Sequence, residues 1–149
     1  MIEVRTAARL LLLDANRRIL LFRYNDRHGR EFWATPGGGV EPGESLEEAA
    51  RREAAEELGA EEAQLTRLWT GHSRFPFADR QVSQTETFFL VTSRSDLPSP
   101  AVREVHRREG ITEARWWSLD EIEATVEPLY PTDLATRMRE YLHRSRSHG

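Results

Sequence analysis

The sequence predicts an α+β protein with a mixed β-sheet between helical layers, and three observations carry that expectation. Apolar runs of strand length recur along the chain, one amphipathic helix separates two groups of them, and helix-start signals return near the C-terminus. With 149 residues, 38% hydrophobic and 31% charged, the chain is expected to fold as a single domain over residues 1–149. Such a domain buries roughly two-thirds of the surface its unfolded form exposes.

The segments from Ile2 to Leu13 and from Arg18 to Tyr24 are rich in Leu, Ile and Val. Between them Asp14-Ala15-Asn16-Arg17 reads as a turn, which predicts two paired strands. Asn25 to Glu31 reads as a loop and Phe32 to Thr35 as a short strand stopped by Pro36. Gly37-Gly38-Gly39 reads as irregular backbone. Ser45-Leu46-Glu47-Glu48 is a capping box, so a helix is expected from there to Leu58, with Gly59 as its stop. Gln64 to Ser73 and Val82 to Thr92 are expected strands on either side of a connection from Arg74 to Arg80. Ser93 to Gly110, with Pro98 and Pro100, is a long loop holding a short helical piece. Ala114 to Trp117 is a further strand, followed by a second capping box at Ser118-Leu119-Asp120-Glu121. A last helix runs from Thr132 to about Leu142, and residues 144–149 form a frayed tail.

Composition narrows the chemistry. No cysteine is present, which excludes disulfides, thiolate catalysis and thiolate metal sites, so any metal must sit on oxygen or histidine. The net charge of −4 argues against a general grip on extended nucleic acid, while leaving room for a small phosphorylated ligand held by local arginines. The apolar run Leu10 to Leu13 is too short for a secretory segment or a membrane span, so a cytoplasmic location is expected by default.

The central helix is the informative element. At ~100° per residue from Leu46, the residues Leu46, Ala49, Ala50, Ala54 and Leu58 occupy one arc, and Glu53 and Glu57 fall inside it. Glu56 lies at its edge. Glu47, Glu48 and Arg51 read as a solvated face. An inward carboxylate pair at i,i+4 is repulsive and calls for positive charge, and an oxygen-only cluster suits Mg²⁺ or Mn²⁺. Upstream, the glycine run lets backbone groups approach a metal or phosphate, and the loop brings Glu44 to the helix start.

The pattern Gly38-x5-Glu44-x7-Arg52-Glu53-Ala54-Ala55-Glu56-Glu57-Leu58-Gly59-Ala60 resembles the signature box of the Nudix (MutT-like) hydrolases. Every charged and glycine position of the box is present; Ala54 and Ala60 stand where larger aliphatic residues are common. Trp33 to Gly39 and Trp116 to Glu121 resemble the family's approach strand and its late strand and helix. The resemblance implies an α/β/α sandwich, the Nudix fold, and Mg²⁺-dependent hydrolysis of a diphosphate linkage in a nucleoside diphosphate derivative, with Mn²⁺ able to substitute. It implies that Glu53, Glu56 and Glu57 bind the metal with the Gly38 carbonyl as an extra ligand. Glu44 and Arg52 would orient them.

Other roles stay open in the sequence. Glu53, Glu104, Glu109, Glu113 and His106 are candidates for the general base. Arg23, Arg74 and Arg80 are candidate phosphate clamps, and Phe22, Tyr24, Phe75 and Phe77 candidate stacking residues. Glu86 shares a strand face with Phe88 and Leu90, so it is either paired with an arginine or lines a cleft. A nucleoside triphosphate or damaged nucleotide is the expected substrate. ADP-ribose or an ADP-sugar is the alternative, suggested by Pro76 sixteen positions beyond Ala60. A non-catalytic nucleotide sensor is the alternative of another class, and a homodimer is left open.

Overall fold

The computed structural model describes residues 2–25, 29–77 and 80–148, with the side chains of 75–77, 101 and 146–148 outside that description. The chain divides into two units, one holding residues up to Leu12 together with Pro36–Val105, the other Leu13–Thr35 together with the residues from His106 onward.

In the first unit, β1 (Ile2–Leu11) pairs in parallel with β6 (Arg80–Thr92) and antiparallel with β4 (Gly37–Gly39), while β6 forms a long antiparallel pair with β5 (Gln64–Phe77). The sheet order is β4-β1-β6-β5. The glycine run is thus a short strand rather than irregular backbone, because Gly37, Gly38 and Gly39 stand in register with Arg9, Ala8 and Ala7. Only glycine suits the first of these positions. Gly37 has φ +130°, and a Cβ there would lie 2.2 Å from the Ala8 carbonyl oxygen. The β5–β6 hairpin also reaches further than expected, and Pro76 stays in strand register opposite Gln81.

Helix α1 (Leu46–Glu53) packs against β1 and starts with the expected capping box: Ser45 accepts from the Glu48 amide and Glu48 from the Ser45 amide. From Ala54 to Leu58 the coil widens into a π-helical turn, then Gly59 (φ 73°) ends it. Short apolar side chains on the inner face, Ala49, Ala50 and Ala54, are fully buried with Leu58, and in the sheet Phe88 and Phe89 are buried on its two opposite faces. Truncating Leu58 or Phe88 to Ala is expected to cost about 2–5 kcal/mol. Beyond β6, a 3₁₀ turn (Pro100–Val102) runs into α2 (Arg103–Arg108), the short helical piece expected in that loop.

In the second unit, the sheet order is β7-β2-β3-β8, formed by β2 (Ile19–Asn25), β3 (Glu31–Ala34), β7 (Ile111–Trp117) and β8 (Leu129–Tyr130). Its core holds Ile19, Leu20, Leu21, Phe22, Leu134 and Met138, with Trp33 and Trp117 in edge-to-face contact at 5.0 Å. α3 (Leu119–Ala124) follows the second capping box, and α4 (Leu134–His148) continues beyond the expected end near Leu142.

The expected pairing of the first two strands is corrected. The turn forms, with the Asp14 amide donating to the Arg18 carbonyl, the Arg18 amide donating to Asp14 Oδ1, and Leu13 bridging Ile19, but β1 and β2 belong to different sheets. Each sheet is mixed, so the expected single mixed sheet is two four-stranded ones. Among the described residues no helix is long and apolar enough to cross a membrane.

Candidate active site

The site grows from the junction of β4 and α1. The capping box fixes the start of α1, and the helical phase then turns Glu53 and Glu57 inward, leaving them 6% and 1% exposed. The Gly37 amide donates to Glu57 Oε2 at 2.7 Å. Glu53 lies over the next residue: a Cβ at Gly38 would come within 2.6 Å of Glu53 Oε1, so a side chain there would push the carboxylate from its place.

Arg52 ties the remaining groups together. Its Nε and Nη2 donate to Glu44 Oε2 and Oε1 at 2.8 and 2.9 Å, a bidentate pair, while Nη1 reaches Glu53 Oε1 at 2.9 Å and lies 3.5 Å from Glu56 Oε2. Nη2 also donates to the Gly39 carbonyl at 2.9 Å, which fastens the glycine strand to the helix. The Arg52 hydrogen bonds hold the Glu44 carboxyl down to about 2, helped by the Glu41 amide that donates to it. Arg52 in turn is raised further above its usual range, first by Glu44 and then by Glu53.

These residues fit a hard divalent cation in donor chemistry and in charge. Glu44, Glu53, Glu56 and Glu57 offer only oxygen, and one guanidinium, Arg52, hydrogen-bonds Glu44 and Glu53 and forms an ion pair with Glu56. Buried carboxylates of this kind need positive charge or donors around them. Among the described residues, no three carboxylate or imidazole groups converge into a metal-sized cluster. Here Arg52 stands between Glu44, Glu53 and Glu56, and Glu57 is held by the Gly37 amide.

Sequence-nominated residues outside this junction divide sharply. Glu86 is the paired arginine case, accepting from Arg9 Nε at 2.7 Å. Arg80 pairs with Glu3 at 3.1 Å, and Arg74 is exposed on β5. Phe77 lies on the β5 backbone, but its side chain and that of Phe75 fall outside the described residues. In the second unit, Arg23 is engaged by Glu31 at 2.5 Å, with Glu113 and Glu127 each at 3.9 Å, and its guanidinium stands over the Trp33 ring. A phosphate there would have to compete with those carboxylates. Phe22 is fully buried against Tyr24 and His106, and Tyr24 stacks on Phe32, so both rings serve packing. Glu104 and Glu109 are exposed, one on α2 and one just beyond it.

One residue of the junction escaped the sequence reading. Arg9 sits in the apolar stretch of β1, and its Nη1 donates to the Gly37 carbonyl at 3.3 Å while Nε holds Glu86. The available signal was a charged residue between Ala7-Ala8 and Leu10-Leu11, a setting that demands a partner.

A NUDIX domain family model matches residues 3–144, and the chain belongs to that family. It is 40% identical over 86 residues to the nucleoside triphosphatase NudI of Escherichia coli, a match covering 56% of this chain and 60% of that protein, so the chain spans less than two-thirds of that relative's length. The MutT protein of Methanosarcina mazei shares the fold with a TM-score of 0.66 at 22% identity, covering 96% of each chain. A MutT NUDIX hydrolase of Burkholderia pseudomallei does so with a TM-score of 0.65 at 24% identity, covering 89% of this chain and 95% of the other. The Nudix fold expected from the box is therefore present, and the family generally works with divalent metals.

Proposed function

We propose that the chain is a Mg²⁺-dependent Nudix pyrophosphohydrolase acting on a nucleoside triphosphate or damaged nucleotide. The observation that carries this reading is the junction in which Arg52 clamps Glu44 and Glu53 beside a glycine strand whose amide holds the buried Glu57. Glu53, Glu56, Glu57 and the Gly38 carbonyl are the groups that would hold the cation, Mg²⁺ or in its place Mn²⁺. When bound, it supplies charge neutralisation at phosphate oxygens and orientation of the attacking water. Glu44 and Arg52 keep Glu53 aimed at the glycine strand through charge-assisted hydrogen bonds. The substrate class rests on the 40% identity to a nucleoside triphosphatase.

The reading extends to setting and partners. The family model runs through both structural units, which supports one working domain. A cytoplasmic setting goes with small nucleotide substrates, and the net charge of −4 suits those over extended nucleic acid or a membrane surface. A homodimer is the oligomeric state to test by light scattering.

A substrate panel tests the activity: nucleoside triphosphates, oxidised nucleotides, ADP-ribose and ADP-sugars with Mg²⁺, followed for monophosphate, phosphate and pyrophosphate. Turnover of a triphosphate, lost in Glu53→Gln and Glu57→Gln, is expected. Turnover of ADP-ribose alone would replace the substrate, and tight nucleotide binding without hydrolysis in Mg²⁺ or Mn²⁺ would replace the enzyme with a sensor.

A further inference from the structure

The two peptides that flank Gly37 are held from different sides. In the first, between Pro36 and Gly37, the carbonyl accepts from the Leu10 amide at 2.8 Å and the N–H donates to Glu57 at 2.7 Å. In the second, between Gly37 and Gly38, the carbonyl accepts from Arg9 Nη1 at 3.3 Å. Strand pairing does not explain this last bond, since it comes from a side chain.

The guanidinium that makes it is itself fixed. Arg9 stands opposite Gly37 on one side of β1, and on the other side Glu86 is register partner to Ala7, one pleat away. That diagonal spacing suits a long side chain reaching across two strands. Glu86 takes Nε at 2.7 Å and leaves Nη1 directed at Gly37, with the two side chains only 20% and 14% exposed. A relay thus runs from β6 through β1 to the glycine strand: Glu86, Arg9, the Gly37 peptides, then Glu57.

We propose that Arg9 is a positioning residue of the metal site and that Glu86 serves to aim it. Glycine at 37 and 38 gives the strand freedom to turn its carbonyls, which a site relying on the Gly38 oxygen and on Glu57 cannot tolerate. Arg9 removes that freedom at the Gly37 carbonyl, one peptide upstream of the Gly38 carbonyl. Arginine is required by the fork, since a lysine ammonium cannot span Glu86 and the carbonyl in one plane. This rests on the metal-site reading proposed above.

The experiment measures Mn²⁺ binding to the full chain by calorimetry, with thermal melting in the absence of metal alongside. Arg9→Met is expected to weaken Mn²⁺ binding by about tenfold, as loss of a group supporting metal ligands does, and also to lower the metal-free melting temperature by leaving Glu86 unpaired. The double variant Arg9→Met/Glu86→Gln separates the two effects: its metal-free melting temperature returns toward wild type while Mn²⁺ binding stays about tenfold weak. Arg9→Lys, which keeps the charge on Glu86, is expected to retain stability and to bind Mn²⁺ more weakly than wild type, and hydrogen exchange at the Gly37 amide should quicken in all three. Recovery of Mn²⁺ binding together with stability in the double variant would overturn the inference and leave Arg9 a structural pair. A wild-type chain that binds no Mn²⁺ would instead overturn the metal-site reading, and this inference with it.

Discussion

Helices α1 and α3 begin with the same device and end with opposite uses of their carboxylates. Each opens on a serine that accepts the amide of a glutamate three residues on, and that glutamate accepts the serine amide in return. After the cap they diverge. α3 stops after six residues, and its Asp120, Glu121 and Glu123 all point to solvent, where Arg139 and Arg115 pair with them at 2.7–3.0 Å. α1 passes into the π turn and carries Glu53 and Glu57 into the interior. The cap therefore says where a helix starts and nothing about what it is for. Function is decided by phase, which sends a carboxylate to water in one helix and toward a glycine strand in the other.

The largest effect that would sharpen this contrast is catalytic. Glu57→Gln is expected to lower kcat by about 10²- to 10⁴-fold, while Glu121→Gln on α3 leaves it unchanged; steady-state kinetics with Mg²⁺ checks both, and equal losses would erase the contrast. Next come the caps themselves. Ser45→Ala and Ser118→Ala should each cost about 1 kcal/mol in denaturant unfolding, but only the first is expected to reduce turnover, because only α1 bears the site.

Acid offers a gentler comparison. The Arg52 pair holds the Glu44 carboxyl at about 2, below the ordinary 4.5, so its contribution is fully present above 4.5 and is lost as pH falls through about 2. Melting temperatures of wild type and Glu44→Gln should therefore differ above pH 4.5 and converge as the pH approaches 2. Glu121, lowered first by the Ser118 amide and then by Arg115, should lose its smaller advantage in the same direction. The smallest effect belongs to the surface of α3: Arg139→Ala breaks two exposed pairs and is expected to leave the denaturant midpoint almost where it was.

What could be read in the sequence follows the same division between start signals and long-range pairing. The caps, the extent of α1 and the inward turn of Glu53 and Glu57 depend on neighbours within a few residues, so local pattern reached them. The partners of β1 did not, because the Asp14–Arg18 turn is real yet the strand before it is claimed by β6 in another sheet. β4 carries three glycines, which have no side chains to advertise a strand, and β8 is only two residues between Pro128 and Pro131, too short to show an alternation. The box implied that Glu44 and Arg52 orient the other carboxylates but not that they pair with each other, and Arg9 showed its need of a partner without showing which, since Glu86 lies far along the chain.

The π turn has a consequence for how the chain tolerates change in length. Five residues from Ala54 to Leu58 occupy a wider coil than an α-helix would give them, so the segment holds slack that an ordinary helix lacks. Removing one residue there would let the backbone close into regular α-helix and keep its hydrogen bonds, yet the side chains inside the turn would change their angle about the helix axis. Glu57 would leave the Gly37 amide. Such a shortened protein is expected to fold and to be silent, its acidic residues all present and out of step.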